Sequence, residues 1–336
     1  MKIEAHKSLQ KYNTFGIDVK AKHFVSVKSI AELKNVISLK KYPNHFILGG
    51  GSNILFTKDI DALVIHLNLK GISIEKETED HLYIKAMAGE NWHEFVLYCI
   101  KNNYGGIENL SLIPGNLGTT PIQNIGAYGV ELKDVFYECE AFDLKTKTQK
   151  CFSKTDCEFG YRNSIFKNSA KDKYIITSVT LKLTKKNHRL NYSYGAITDQ
   201  LKKENTDLNI KAISKAVINI RQSKIPNPKE IGNSGSFFKN PIINSRAFSQ
   251  FQKQYPQAPF YKLSEEHYKV PAGWLIEQTG FKGKRFGDAG VHKNQALVLV
   301  NYGSATGLEI LNLAKNIQEQ VSKKFNITLE PEVNIL

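Results

Sequence analysis

The sequence predicts an α+β protein on three observations. Short runs of alternating or continuous apolar residues recur along most of the chain and read as strands. Helical patterns are fewer, and some open on a start signal, as where Ser29 stands three places before Glu32. The 336 residues are enough for two or three domains, each burying its own core.

The first informative segment is Tyr12-Asn13-Thr14-Phe15-Gly16, followed by the alternating run His23-Phe24-Val25-Ser26-Val27, a predicted strand. Ser29 and Glu32 then open a helix as a capping box. The next strand, Phe46-Ile47-Leu48, ends in Gly49-Gly50-Gly51-Ser52-Asn53 ahead of Ile54-Leu55. Further strands are expected over 63–65, 72–74 and 82–86, and a helix opens near Trp92 and runs through Phe95, Val96 and Cys99 to Ile100. Strands return over 135–142, 150–152 and 174–183. Pro271, a good first-turn residue, precedes a helix over 272–278, and 297–301 reads as a buried strand. An amphipathic helix is expected over 306–325, with apolar positions Leu308, Ile310, Leu311, Leu313, Ala314, Ile317 and Val321.

Composition narrows the function classes. A hydrophobic content of 41% with 23% charged residues describes a globular rather than a disordered chain. No apolar run approaches the roughly 18 residues that span a bilayer. The start, Met1-Lys2-Ile3-Glu4-Ala5-His6-Lys7, lacks the apolar centre of a signal peptide, so a cytoplasmic protein without membrane insertion is expected. Cys99, Cys139, Cys151 and Cys157 match neither a redox pair nor a zinc knuckle, and the nine histidines show no ligand spacing, so no metal is expected. The net charge of +14 raises nucleic acid as a partner, but the lysines are spread along the chain with no dense basic arm. A basic surface that handles diphosphate ligands locally fits better.

Four tracts carry chemistry. Gly49, Gly50 and Gly51 follow a strand directly and expose backbone N–H groups, with Ser52 and Asn53 adding side-chain donors; alone, this serves equally as a tight turn or a pyrophosphate cradle. The tract from Ile113 to Gly129 holds four glycines, two prolines, two threonines and three amides and no charge, a composition suited to wrapping a buried polar ligand. Phe159-Gly160-Tyr161-Arg162-Asn163-Ser164 is an aromatic and basic cluster whose arginine serves either a pocket or a surface carboxylate. Gly232-Asn233-Ser234-Gly235-Ser236-Phe237-Phe238-Lys239-Asn240-Pro241 reads alone as a turn leading into a buried Phe-Phe strand. In the company of the other tracts, it places the Ser236 hydroxyl against a dry wall.

These tracts occur in order with Pro271-Ala272-Gly273-Trp274-Leu275-Ile276-Glu277, Gly290-Val291-His292-Lys293-Asn294-Gln295-Ala296 and Leu329-Glu330-Pro331-Glu332-Val333. Over about residues 12–333 the set closely resembles the UDP-N-acetylenolpyruvoylglucosamine reductase family, flavoenzymes of peptidoglycan precursor synthesis. The resemblance implies a two-lobed FAD-binding domain of the flavoprotein alcohol oxidase type followed by an α+β substrate-binding domain. The lobes would span 1–68, joined by the tail 326–336, and 69–190; the tyrosine loop and substrate domain would span 191–325.

The resemblance further implies that FAD is held by Gly49, Gly50, Gly51, Ser52 and Asn53 and by Ile113, Gly115, Gly118, Thr119, Thr120, Gln123, Asn124, Gly126 and Ala127. NADPH would be the co-substrate and a nucleotide-sugar enolpyruvyl ether the substrate. Arg162 and Glu332 would stabilise the developing enolate, and Ser236 would donate a proton, the three converging over one face of the flavin. Tyr161, Tyr194, Lys224, Asn240 and Gln295 would grip the substrate, although Tyr194 and Lys224 read equally as a packed aromatic and a surface charge. Family relatives often carry a basic residue after Pro-Glu-Val, where this chain has Asn334. A monomer is expected.

Overall fold

Period-two patterning at Lys20–Val27 buries Ala21, Phe24, Val25 and Val27 and pairs this strand in parallel with Ile60–Leu67, which in turn pairs in parallel with His45–Leu48. The structure is a computed structural model and describes residues 1–204 and 207–336. Two units divide the chain, the first comprising residues 1–7, 21–50 and 60–221 and the second residues 8–20, 51–59 and 222–336. Parallel sheets, antiparallel sheets and helices mix in both, giving the α+β class.

In the first unit, one sheet runs Glu4–Ser8, Lys20–Val27, Ile60–Leu67, His45–Leu48. The helix Ile30–Ile37 covers it through Leu33 and Val36, which join Val25, Val27, Leu63 and Ile65 in one core. Ser29 caps this helix by accepting the Glu32 N–H, as its spacing predicts, but the Glu32 carboxylate takes the Lys28 N–H (2.7 Å) rather than closing back on Ser29. A second sheet is antiparallel throughout, in the order Gln149–Ser153, Phe136–Asp143, Tyr174–Thr184, His81–Met87, Ile72–Glu77. Trp92–Lys101 buries Trp92, Phe95, Val96 and Cys99 against it, and the Trp92 indole donates to Leu110 O. Residues 191–221 also pack within this unit, where Gly195–Glu204 and Ile210–Lys224 share a core of Ile197, Leu201, Ile213, Ala216 and Val217.

The second unit is built on Gly232–Ser236, Val298–Asn301, Ala289–Val291 and Arg285–Phe286, with Gly307–Phe325 as its long helix. Thr306 and Glu309 close a full capping box at its start. Ile310, Leu313, Ala314, Ile317 and Val321 are buried as the apolar spacing predicts; Leu308, expected on that stripe, is 55% exposed because it falls off the face. The tail is tied down: Asn334–Ile335 pairs in parallel with Ile54–Leu55, and Thr57 N–H donates to Leu336 O at 2.7 Å. Among the described residues no helix is long and apolar enough to cross a membrane.

Burial sets an acid limit on this fold. His45, His66, His93 and His292 all have pKa values lowered from 6.5, in each case chiefly by burial, which disfavours the charged imidazole. The unfolded chain therefore binds more protons than the native one as pH falls through the ordinary histidine range. Stability from these groups is complete above about pH 6.5 and is lost progressively below it. Urea midpoints measured from pH 7.5 down to pH 5 are expected to fall steadily, and a flat profile would contradict neutral buried imidazoles.

Candidate active site

In the first unit the glycine turn and the uncharged tract meet backbone to backbone. A Cβ on Gly49 would lie 2.8 Å from Thr119 Cγ2, and one on Gly50 would lie 2.8 Å from Asn116 Oδ1 and 3.1 Å from Gly115 Cα. Close approach of this kind is why the chain needs glycine here. Thr119 and Thr120 direct their hydroxyls to Asn116 O and Leu117 O, both at 2.7 Å, which fixes the short helical turn between them. Asn124 is wholly buried and engaged inside the protein: its amide nitrogen donates to Glu131 Oε2 and Gly160 O, and its oxygen accepts from Lys133 N–H. Ile113 packs on the core of this unit, and Gly118, Gln123 and Ala127 lie along the same tract.

Arg162 is held by the same tract. Its Nη2 donates to Gly126 O at 2.8 Å, and a Cβ on Gly126 would come within 3.1 Å of Nη1. Ser164 Oγ donates to Ile122 O and Asn124 donates to Gly160 O, so two side-chain bonds clamp the arginine's turn to the tract. The backbone pays with a left-handed φ of +54° at Arg162, a strain that surrounding contacts must over-determine. Tyr161 lies under the guanidinium at 5.5 Å, and Tyr194 meets Tyr128 edge to face at 5.4 Å.

A second arginine escaped the sequence reading. Partly buried Arg221 donates from Nε to Leu112 O (3.3 Å); burial lowers its pKa, Tyr128 opposes the shift and nearby Arg162 adds to it. Two guanidinium groups that feel each other favour an anionic guest. The only sequence signal was a cation at the end of an apolar-striped run.

In the second unit, Gly232–Ser236 carries a bulge. Asn233 pairs with Val300 and Ser236 with Val298, leaving Ser234 and Gly235 opposite Leu299 alone. Gly235 supplies φ +73° and its N–H donates to Asn233 Oδ1, while the Asn233 amide holds Pro226 O and Ile231 O. Bulges re-aim side chains, and this one sets the face on which Ser236 emerges, next to buried Phe237 and Phe238.

Glu332 lies beside that strand. Its N–H donates to Phe237 O at 2.8 Å, Lys239 N–H donates to Glu330 O, and Asn53 Nδ2 donates to Glu332 O at 3.2 Å. The Ser236 and Glu332 segments are therefore brought together, with Asn53 of the Gly51-Ser52-Asn53 half-turn attached; Arg162 belongs to the other unit. Asn334 gives both its backbone N–H and its amide to Asn53 O, closing the tail on the turn. Asn240 Oδ1 accepts the Ala272 N–H, Gln295 Oε1 accepts from Leu297 N–H, and Lys224 ends its helix with its backbone bonded by His292.

Residues 227–336 match the family described as UDP-N-acetylenolpyruvoylglucosamine reductase, C-terminal domain, and residues 21–151 match FAD binding domain. The UDP-N-acetylenolpyruvoylglucosamine reductase of Flavobacterium johnsoniae is 60% identical, and that of Amoebophilus asiaticus 50%, each over 100% of both chains. That of Pseudomonas putida is 44% identical over 98% of this chain and 97% of its own. Among solved structures, the UDP-N-acetylenolpyruvylglucosamine reductase of Thermus caldophilus shares the fold with a TM-score of 0.70 and 23% identity, covering 100% of this chain and 99% of that one. The glycine turn and tract suit FAD by their chemistry: glycine N–H groups directly after a strand and an uncharged stretch rich in amides and hydroxyls supply the donors that a pyrophosphate and a flavin accept from.

Proposed function

The chain belongs to the UDP-N-acetylenolpyruvoylglucosamine reductase family and is an FAD-containing oxidoreductase, and from that premise we propose that it reduces UDP-N-acetylglucosamine enolpyruvate to UDP-N-acetylmuramate with NADPH, in peptidoglycan precursor synthesis. The observation that supports this most is the bond from Glu332 N–H to Phe237 O, which sets a carboxylate beside the strand of Ser236. FAD, when bound, supplies hydride to the terminal carbon of the enolpyruvyl double bond and is recharged by NADPH. Ser236 holds the proton for the adjacent carbon, with the Phe237–Phe238 wall excluding water. Arg162 offers fixed charge and paired donors to the substrate carboxylate as it takes on enolate character, and Glu332, holding a proton, donates a hydrogen bond there. Tyr161, Tyr194, Lys224, Asn240 and Gln295 grip the nucleotide sugar, Lys224 as a point charge on its diphosphate. Asn124 serves by positioning, since its polar atoms are engaged within the protein. The protein works in the cytoplasm as a monomer, which sedimentation of the holoenzyme checks.

The deciding experiment is the absorbance spectrum. Yellow protein should bleach with NADPH without oxygen and recolour on adding the enolpyruvyl substrate; recolouring that needs only air would instead favour another flavoenzyme on this scaffold. Arg162→Lys is expected to slow recolouring by about 10²–10³-fold and spare bleaching, because an ammonium cannot reproduce the fork. Full activity in this variant would make the arginine structural.

A further inference from the structure

Two hydroxyl oxygens in the second unit, Thr14 Oγ1 and Ser234 Oγ, are buried without a hydrogen-bond partner. Ser234 as a residue is only 7% exposed. Buried hydroxyls are normally paired, so orphans of this kind mark a place for a polar guest.

Their position on the chain identifies the guest. Thr14 N–H donates to Gly51 O at 3.1 Å, and Asn233 N–H donates to Thr14 O at 2.9 Å, so the segment around Thr14 bridges the glycine turn and the bulged strand. Glycine is obligatory at both contacts: a Cβ on Gly51 would run into Tyr12 O and come within 2.9 Å of Asn13 Cα, and one on Gly232 would run into Phe15 O. Asn13 pins the segment by donating to Leu9 O and Ile17 O and accepting from Ile17 N–H, and Asn301 Nδ2 donates to Phe15 O at 2.9 Å. Rigid support of this kind is what a ligand-positioning group requires. One end of the bridge is the turn assigned to the cofactor's pyrophosphate, and the other, Asn233, lies three residues before Ser236.

We infer that Thr14 and Ser234 form a hydroxyl pair that positions FAD by donating hydrogen bonds to its oxygen atoms along this bridge. The inference rests on the flavoenzyme reading above. The two hydroxyls act as positioning groups; neither takes part in the hydride or proton steps.

The test uses apoprotein titrated with FAD, with ADP and riboflavin as fragments, together with thermal melting of the apoprotein. Thr14→Val and Ser234→Ala should each raise the Kd for FAD about tenfold. The apoprotein melting point should hold or rise, because each substitution removes a hydroxyl that has no partner in the absence of ligand. Weakening confined to ADP places the contact at the pyrophosphate end, and weakening confined to riboflavin places it at the ring; either supports the pair. FAD affinity within twofold of wild type in both variants overturns the inference, as does a fall of several degrees in both apoprotein melting points, which would assign the hydroxyls to the fold. Wild-type apoprotein that takes up no FAD would sink the flavoenzyme reading as well, so the two failures are distinguishable.

Discussion

Replacing Ser236 by alanine will slow reduction of the enolpyruvyl substrate by about 10²–10⁴-fold, while bleaching of the flavin by NADPH stays close to wild type. The asymmetry follows from what the hydroxyl does. On the proposed mechanism, flavin reduction needs no proton from this residue, whereas the second half-reaction leaves a carbanionic centre that Ser236 protonates. The substitution is structurally mild: the bulge is held by Asn233, Gly235 and the pairing of residue 236 with Val298, all of which are backbone or neighbouring contacts that alanine keeps. Rapid mixing of the two half-reactions separately is the measurement. Equal losses in both halves would point to displaced cofactor rather than a missing proton.

The strands were legible because alternation reports burial directly. The pattern over 174–183 becomes Tyr174–Thr184, and that over 135–142 becomes Phe136–Asp143, central neighbours in the antiparallel sheet of the first unit. Helices that announce themselves by caps were equally plain, as at Asn91 and Thr306. Gly195–Glu204, Ile210–Lys224 and Ser245–Gln254 were not. The first two have no acidic residue in the first turn, although Asn209 caps the second by accepting the Ala212 N–H, and the third buries only Phe248 and Phe251 along ten mostly polar residues. Their helicity comes from packing a narrow stripe, which local sequence states weakly.

The site divides along the same line. Glycine tracts were readable because glycine is demanded wherever another part of the chain comes too close for a Cβ: Gly50 borders backbone at Gly115 and Asn116, Gly49 the Thr119 side chain, and Gly126 the Glu131 and Arg162 side chains. Partnerships made by tertiary folding were not readable. Nothing in the local sequence at Asn53 says that its amide reaches Glu332 O, 279 residues away, or that Arg221 would feel Arg162. Polar type gave the inventory of groups, but not that the Asn124 side chain would be bonded to Glu131, Gly160 and Lys133 within the protein.

Gly51→Ala should be severely damaging for a single added methyl, and Gly287→Ala separates its causes. Both glycines have left-handed backbones, at φ +60° and +61°, so an alanine meets the same intrinsic strain at either, on the order of 1 kcal/mol. Around Gly287 the added Cβ meets nothing within 4 Å. At Gly51 it overlaps the Tyr12 carbonyl, a backbone atom that cannot rotate aside, and the segment that must yield is stapled by Asn13 and bonded to Asn233. Overpacking against fixed backbone costs roughly 1–3 kcal/mol and sometimes more, so Gly51→Ala is expected to lose about 2–4 kcal/mol where Gly287→Ala loses about 1. Against a total stability of about 5–15 kcal/mol, that is a large fraction. The same shift moves the turn proposed to hold the pyrophosphate, so FAD retention should fall in Gly51→Ala and hold in Gly287→Ala. Urea midpoints and the flavin content of the purified variants measure both effects; equal destabilisation by the two substitutions would mean that backbone conformation, not the collision with Tyr12, is what position 51 requires of glycine.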